Sequence, residues 1–247
     1  MLIYANLFKQ AEYSARFEWG YEGVEQLGLG SSIIVIIDVL SFSTCVDVVI
    51  GRGGSVFPYR FKDETARLYA EQKGALLAGR RGERISLSPA ALQSIPVNSR
   101  IVLPSPNGST CTLLAKESKA TVIAACLRNA SAVANYIRER KETVTIIACG
   151  ERWPNGALRP AIEDIIAAGA ILYELSEHTL SPEAQMAVAA YTSAKRELAW
   201  FLEQSGSGQE LIRSGYLEDV QVAGQFNGSQ HVPVLNDAGA YEALKLE

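Results

Sequence analysis

The chain is expected to fold as a layered αβα protein around a mixed or mostly parallel sheet, and three observations carry that expectation. The first is a continuous β-branched run, Ile33-Ile34-Val35-Ile36-Ile37, bounded by Ser31-Ser32 and Asp38. A run with no polar face reads as a central strand covered on both sides. The second is recurrence: similar runs stand at 56–59, 100–103, 121–125 and 144–148, with helix-like stretches between most of them. That alternation is α/β layering. The third is an internal match, since sliding the chain by 66 residues brings Ser43-Thr44-Cys45 onto Ser109-Thr110-Cys111 and Val35-Ile36-Ile37 onto Ile101-Val102-Leu103. The same step brings Ser55-Val56-Phe57 onto Thr121-Val122-Ile123, which predicts two strand-turn-helix-strand units.

The remaining elements follow in order. A helix over 41–49 succeeds the first strand, and another opens at Pro160, a residue suited to a first helical turn, and runs through Ala161 to Ala170. Residues 182–204 read as one long helix ending at Ser205-Gly206-Ser207-Gly208, a hinge or linker candidate. The expected organisation is a single domain over 1–247 with a helical excursion at about 175–217 and a return near Val220-Gln221-Val222.

Composition narrows the function classes. With 247 residues, 48% apolar and 20% charged, the chain can bury about 70% of its surface and needs no staples. A net charge of −4 without a Lys/Arg block lacks the footprint of a nucleic-acid binder. The most apolar run stops at Asp38, short of the roughly 20 residues that cross a bilayer, so no membrane segment is expected. Met1 to Asn6 shows no secretory pattern, and the cytoplasm is the default location. Cys45, Cys111, Cys126 and Cys149 form no C-x-x-C and are expected as buried thiols. His178 and His231 have no second His or Cys at ligand spacing, so any metal should be held by oxygen.

Four constellations could carry chemistry. Asp38 ends the most buried strand, where ligands of open α/β sheets gather; it could ligate Mg²⁺, attack phosphorus or cap the following helix with its Ser43 and Thr44. Pro104-Ser105-Pro106-Asn107-Gly108-Ser109-Thr110 sets an Asn-Gly turn before hydroxyls that open a helix, suited to phosphate oxygens as well as to a plain turn. Glu163 and Asp164 stand in a first helical turn. There Ile162, Ile165, Ile166, Gly169, Ala170 and Tyr173 share one face, with Glu163 roughly 90° away and Asp164 nearly opposite, toward solvent. Arg80-Arg81, with Arg152 and Arg159, could clamp a phosphate or carboxylate.

On Ile36-Ile37-Asp38-Val39-Leu40, Pro106-Asn107-Gly108-Ser109-Thr110, Ala148-Cys149-Gly150, Glu163-Asp164 with Ala167-Ala168-Gly169-Ala170, and Val232-Pro233, the chain resembles the 2-phosphosulfolactate phosphatase family. The resemblance implies a compact α/β fold, a link to coenzyme M biosynthesis, and Mg²⁺-dependent hydrolysis of phosphate monoesters on small 2-hydroxy acids. Asp38 and Glu163 would be catalytic, and Asp38, Glu163 and Asp164 would hold the metal. Ser43, Thr44, Arg80, Arg81, Asn107, Gly108, Ser109 and Thr110 would bind the small phosphorylated acid. A homodimer is compatible with it.

One departure stands out: where the family has Gly-Glu-Arg and a longer glycine-rich loop ending in Asn-Ser-Pro, this chain has Gly79-Arg80-Arg81 and then Ser86-Leu87-Ser88-Pro89. A cysteine phosphatase is excluded, because no Cys-x5-Arg occurs. A haloacid-dehalogenase-like phosphatase with Asp38 as nucleophile is disfavoured by Leu40, which stands where a second acid is needed. A catalytically idle small-anion binder on the same fold is the alternative from another class.

Overall fold

The computed structural model describes residues 8–244, so the Met1–Asn6 segment read for a targeting signal lies outside them. In chain order the elements are β1 (Ala15–Trp19), α1 (Gly20–Leu27), β2 (Ile33–Ile37), α2 (Phe42–Gly51), β3 (Ser55–Tyr59), α3 (Glu64–Lys73), β4 (Leu76–Leu77) and α4 (Pro89–Leu92). Next come β5 (Arg100–Pro104), α5 (Gly108–Lys116), β6 (Thr121–Ala125), α6 (Ala130–Arg140), β7 (Val144–Ala148) and a two-stranded ribbon of β8 (Glu151–Arg152) and β9 (Leu158–Arg159). The helices α7 (Ile162–Tyr173), α8 (Pro182–Ala194), α9 (Leu198–Gln204), α10 (Gly206–Arg213) and α11 (Leu217–Ala223) then lead into the hairpin β10 (Pro233–Leu235) and β11 (Tyr241–Ala243).

A nine-stranded sheet runs β1-β7-β2-β6-β10-β11-β3-β5-β4. The four strands at one end are mutually parallel, as are the three at the other, and the antiparallel β10–β11 hairpin is spliced between the blocks. The all-apolar β2 sits well inside the sheet, and alternation divides its side chains between two cores. Ile33, Val35 and Ile37 pack with α6, α7 and α8, whereas Ile34 and Ile36 pack with residues of α2 and α5. This is the expected layered architecture with a mixed, mostly parallel sheet.

The internal match is realised as an exchange of partners. Strand β2 of the first unit pairs with β6 of the second, and β3 of the first pairs with β5 of the second. The helices α2 and α5 begin at Phe42 and Gly108, which are equivalent under the 66-residue step, and these first turns meet. A Cβ at Gly108 would collide with the Phe42 ring, so only glycine lets the two helix N-termini approach.

Three expectations need correction. Residues 182–204 form two helices, α8 and α9, broken at 195–197. The Ser205–Gly208 patch is a helix start: Ser205 Oγ accepts from the Gly208 amide as N-cap of α10. Val220 to Val222 belong to α11, with Val220 and Val222 buried in the core, so the helical stretch extends to Ala223. No helix among the described residues is long and apolar enough to cross a membrane. All four cysteines are buried free thiols.

The abutting helix starts yield a first prediction. Gly108→Ala should overpack the junction and cost about 1–3 kcal/mol, read as a fall of several degrees in Tm. An unchanged Tm would mean that the two helices do not meet at this residue.

Candidate active site

The ends of three strands converge. Asp38 follows β2, Ser105 to Gly108 follow β5, and Gly150 and Glu151 follow β7. Buried Asp38 accepts from the Phe42 amide on Oδ1 (3.1 Å) and from the Gly108 amide on Oδ2 (2.9 Å), with Ser105 Oγ at 3.4 Å. One carboxylate thus closes the first amides of both repeat helices, where the positive ends of their dipoles favour a negative group. Burial nonetheless raises its pKa, opposed by those three donors, and the charge of Glu163 raises it further.

Asp164 is 3% exposed, contrary to the solvent-facing position expected for it. The helix wheel assumed one apolar face, but α7 is covered on two sides. Gly169 lets the backbone of Ala187 in α8 approach closely, while Ile162 and Tyr173 are left largely exposed. Asp164 accepts from the Val39 amide on Oδ1 (2.8 Å) and from the Gly150 amide on Oδ2 (2.9 Å), tying the exits of β2 and β7 to α7. Burial holds its carboxyl well above the ordinary range, with the charges of Glu163 and Asp38 adding to the shift.

Glu163 is 1% exposed, and its Oε2 has no hydrogen-bond partner among the described residues. Glu151 joins the cluster from β8. Its pKa is pushed up to about 7, first by burial and then by the charges of Asp38 and Glu163, against the pull of Arg159 and the Asn107 amide. Asn107 Nδ2 donates to Glu151 Oε2 (2.9 Å), leaving Asn107 Oδ1 buried without a partner. Orphaned polar atoms are rare in folded proteins, and two of them gather here.

The hydroxyls are occupied locally. Ser43 Oγ donates to the Asp38 carbonyl and accepts from the Asp38 amide, Thr44 Oγ1 donates to the Val39 carbonyl, and Ser109 Oγ donates to the Leu103 carbonyl. These bonds hold the strand exits in place. Thr110 lies against the Tyr21 phenol. The turn expected to cradle phosphate has its first helical amide, that of Gly108, on Asp38.

Above the acids lies a cleft of about 250 Å³ lined by Asp38, Ser41, Lys62, Arg81, Asn107 and Glu151, with Ser207 of α10 at its rim. Arg81 pairs with buried Asp219, which also accepts from Ser88 Oγ and the Ala90 amide, and its Nη2 donates to Ser41 Oγ (3.2 Å). Arg81 and Lys62 line both the cleft and an adjoining groove, whereas exposed Arg80 lines only the groove, with Glu83. Arg159, directly across the ribbon from Glu151, donates to Ser207 Oγ (3.0 Å), and Arg152 stacks on the Tyr21 ring.

Sequence reasoning missed Glu151, Lys62, Ser41 and Ser207. Glu151 had a readable signal, since it follows the β7 exit through Gly150, whose φ of 62° marks a sharp turn. Lys62 and Ser207 reach the cleft only by tertiary folding.

The model of the 2-phosphosulpholactate phosphatase family matches residues 22–238, and the chain belongs to that family. It is 27% identical over 214 residues to the "2-phosphosulfolactate phosphatase" of Methanothermobacter thermautotrophicus, covering 84% of this chain and 88% of the relative. It is 29% identical over 208 residues to the "probable 2-phosphosulfolactate phosphatase" of Carboxydothermus hydrogenoformans (81% and 84%), and 26% identical over 230 residues to that of Nostoc punctiforme (85% and 91%).

The two neighbouring acids should separate in stability. Asp164→Asn must turn an NH₂ toward one of two buried amides and should lose about 1–3 kcal/mol, whereas Glu163→Gln removes a crowded charge and should leave Tm unchanged or higher. Thermal unfolding of both variants checks this; equal losses would contradict it.

Proposed function

We propose that this chain is a Mg²⁺-assisted phosphatase of small phosphorylated 2-hydroxy acids, with its reaction centre at Asp38, Glu151 and Glu163. The observation that carries the reading is the unpartnered, buried Glu163 Oε2, whose charge acts on Asp38 and Glu151, two carboxylates that line a cleft with Lys62 and Arg81. The names of the relatives support the same chemistry.

The donor set fits Mg²⁺. It is all oxygen, and carboxylates that raise one another's pKa are relieved by a cation. Among the described residues no three His, Cys, Asp or Glu side chains form a ready-made cage. Mg²⁺ does not require one, because it is commonly held by one or two carboxylates with water and substrate phosphate. Glu163 would hold it with Glu151, whereas the oxygens of Asp38 and Asp164 are committed to backbone amides. The ion would supply Lewis-acid neutralisation of phosphoryl charge.

The chain's own groups do the positioning. Lys62 and Arg81 bring positive charge to a cleft whose floor is acidic, so an anionic ester is attracted at the rim and oriented with its phosphate toward the acids. The Asp219 pair and the Ser41 hydroxyl fix the Arg81 fork before a ligand arrives. Asp164 orders Val39 and Gly150 on either side of the reaction centre. An idle anion binder gains nothing from three acids below its cleft. A nucleophilic Asp38 is disfavoured because both its oxygens are held by backbone amides.

Lys62 and Arg81 at the cleft favour a carboxylate on the ester, with 2-phosphosulfolactate neither required nor best. Phosphate release from 2-phosphosulfolactate, 2-phospholactate and glycerol phosphate should need Mg²⁺ or Mn²⁺ and vanish in EDTA; full activity in EDTA overturns the reading. Glu163→Gln should lower turnover at least 10²-fold with the fold intact. Lys62→Ala should raise KM for 2-phospholactate by roughly tenfold or more and for glycerol phosphate much less, the loss of one charge-assisted contact. Equal rises on both esters would assign Lys62 to the shared phosphate.

A further inference from the structure

The groove beside the catalytic cleft is larger than the cleft itself, about 440 Å³ against about 250 Å³. Sites for small molecules usually measure about 300–1,000 Å³, so the cleft alone is cramped and the groove supplies the missing room. The two spaces are continuous. Lys62, Arg81 and Leu87 line both, and Pro104, at the end of β5 in the groove, is followed directly by Ser105 in the cleft. Both therefore lie at the carboxyl ends of strands, where ligands of α/β sheets gather.

The groove differs from the cleft in chemistry. Its walls include Ala66 of α3, Leu77 of β4, Ala78, Leu87 and Pro104, with Leu77 and Leu87 half-buried. The charged groups around it leave little for a ligand to neutralise. Arg81 is paired with Asp219. Asp63 Oδ1 accepts from the Thr65 amide (3.0 Å) as N-cap of α3, and Glu83 folds onto Gly79, where its Oε1 accepts from the Arg80 amide (2.9 Å). Lys62 and Arg80 are exposed to solvent. A further anion would face Asp63 and Glu83 as well as these cations, so what the groove offers is apolar contact.

We propose that the groove receives an apolar substituent on C2 of the ester, so that the substrate is the phosphate of a 2-hydroxy acid with an aliphatic side chain longer than a methyl group. This rests on the phosphatase reading of the cleft. With the phosphate toward the acids and the carboxylate held by Lys62 and Arg81, which border both spaces, the C2 substituent stands at the mouth of the groove. It runs past Leu87 toward Leu77 and Ala66, which makes Leu77 a specificity-determining residue.

Non-hydrolysable phosphonates separate binding from turnover. Calorimetric titration of 2-(phosphonomethyl)propanoate, 2-(phosphonomethyl)hexanoate and 2-(phosphonomethyl)hexanedioate into the full chain with Mg²⁺ tests the groove, while phosphate release from the esters of lactate and 2-hydroxyhexanoate tests the reaction. Each methylene moved from water onto an apolar wall is worth about fourfold in affinity, and the hexanoate has three more than the propanoate. The hexanoate should bind at least tenfold more tightly than either the propanoate or the hexanedioate, and kcat/KM should favour the longer ester in the same direction. Leu77→Asn should reduce the preference to threefold or less and leave the affinity for the propanoate unchanged, whereas Arg80→Gln should keep the preference. If Leu77→Asn fails to fold, the wild-type series alone decides. Equal affinity for propanoate and hexanoate, tighter binding of the hexanedioate, or a preference unmoved in folded Leu77→Asn would each overturn the proposal. The expected preference among phosphonates without phosphate release from either ester would uphold the subsite and overturn the phosphatase reading alone. Phosphate release from both esters with equal kcat/KM and equal phosphonate affinity would do the reverse.

Discussion

The Asp38 carboxylate is the constraint on which the rest of the site depends. Two helices begin at equivalent positions of an internal repeat, each with unsatisfied amides and a positive dipole end, and their first turns are pressed together because Gly108 has no side chain. Like ends of two dipoles repel unless a negative group lies between them. Asp38 is that group, with one oxygen on each helix. Of the roles weighed for this residue, capping is the one these bonds fill. The bonds that cap both helices also hold the carboxylate in one orientation beside Glu163.

Crowding follows from the same geometry. Strand exits that converge on Asp38 bring Glu151 and α7 with them, so four acids, Asp38, Glu151, Glu163 and Asp164, meet where water is scarce. They are not equivalent. Asp38 and Asp164 are satisfied by four backbone amides between them, while Glu163 keeps an unpartnered oxygen and Glu151 has one amide bond from Asn107. Two carboxylates bonded to the backbone thus stand beside two that are not. The charge excess is tolerable in a protein only if a cation or a proton offsets it during function.

Much of this was legible in the sequence where local chemistry decides it. The Ile33–Ile37 run, the 66-residue match and the Asp38 position each follow from apolar pattern and strand ends, and the matching strands and helices lie where those patterns put them. The signal failed where a second layer intervened. Asp164 looked solvent-facing because the wheel has no knowledge of α8 lying across α7 at Gly169. The 205–208 patch looked like a linker because Gly and Ser also begin helices, as they do at α10. Arg80 and Arg81 are adjacent in sequence, yet only the Asp219 carboxylate, more than a hundred residues later, draws Arg81 to the cleft.

The central claim is that Glu163 completes a cation site that Asp164 supports without joining. Calorimetric titration of Mg²⁺ into the wild-type chain, in the presence of inorganic phosphate, addresses it directly when repeated with Glu163→Gln and Asp164→Asn. The account predicts one Mg²⁺ per chain for the wild type, loss of that binding in folded Glu163→Gln, and its retention, at reduced affinity, in Asp164→Asn. Mg²⁺ binding unchanged by Glu163→Gln, or abolished only by Asp164→Asn in a folded protein, would contradict it.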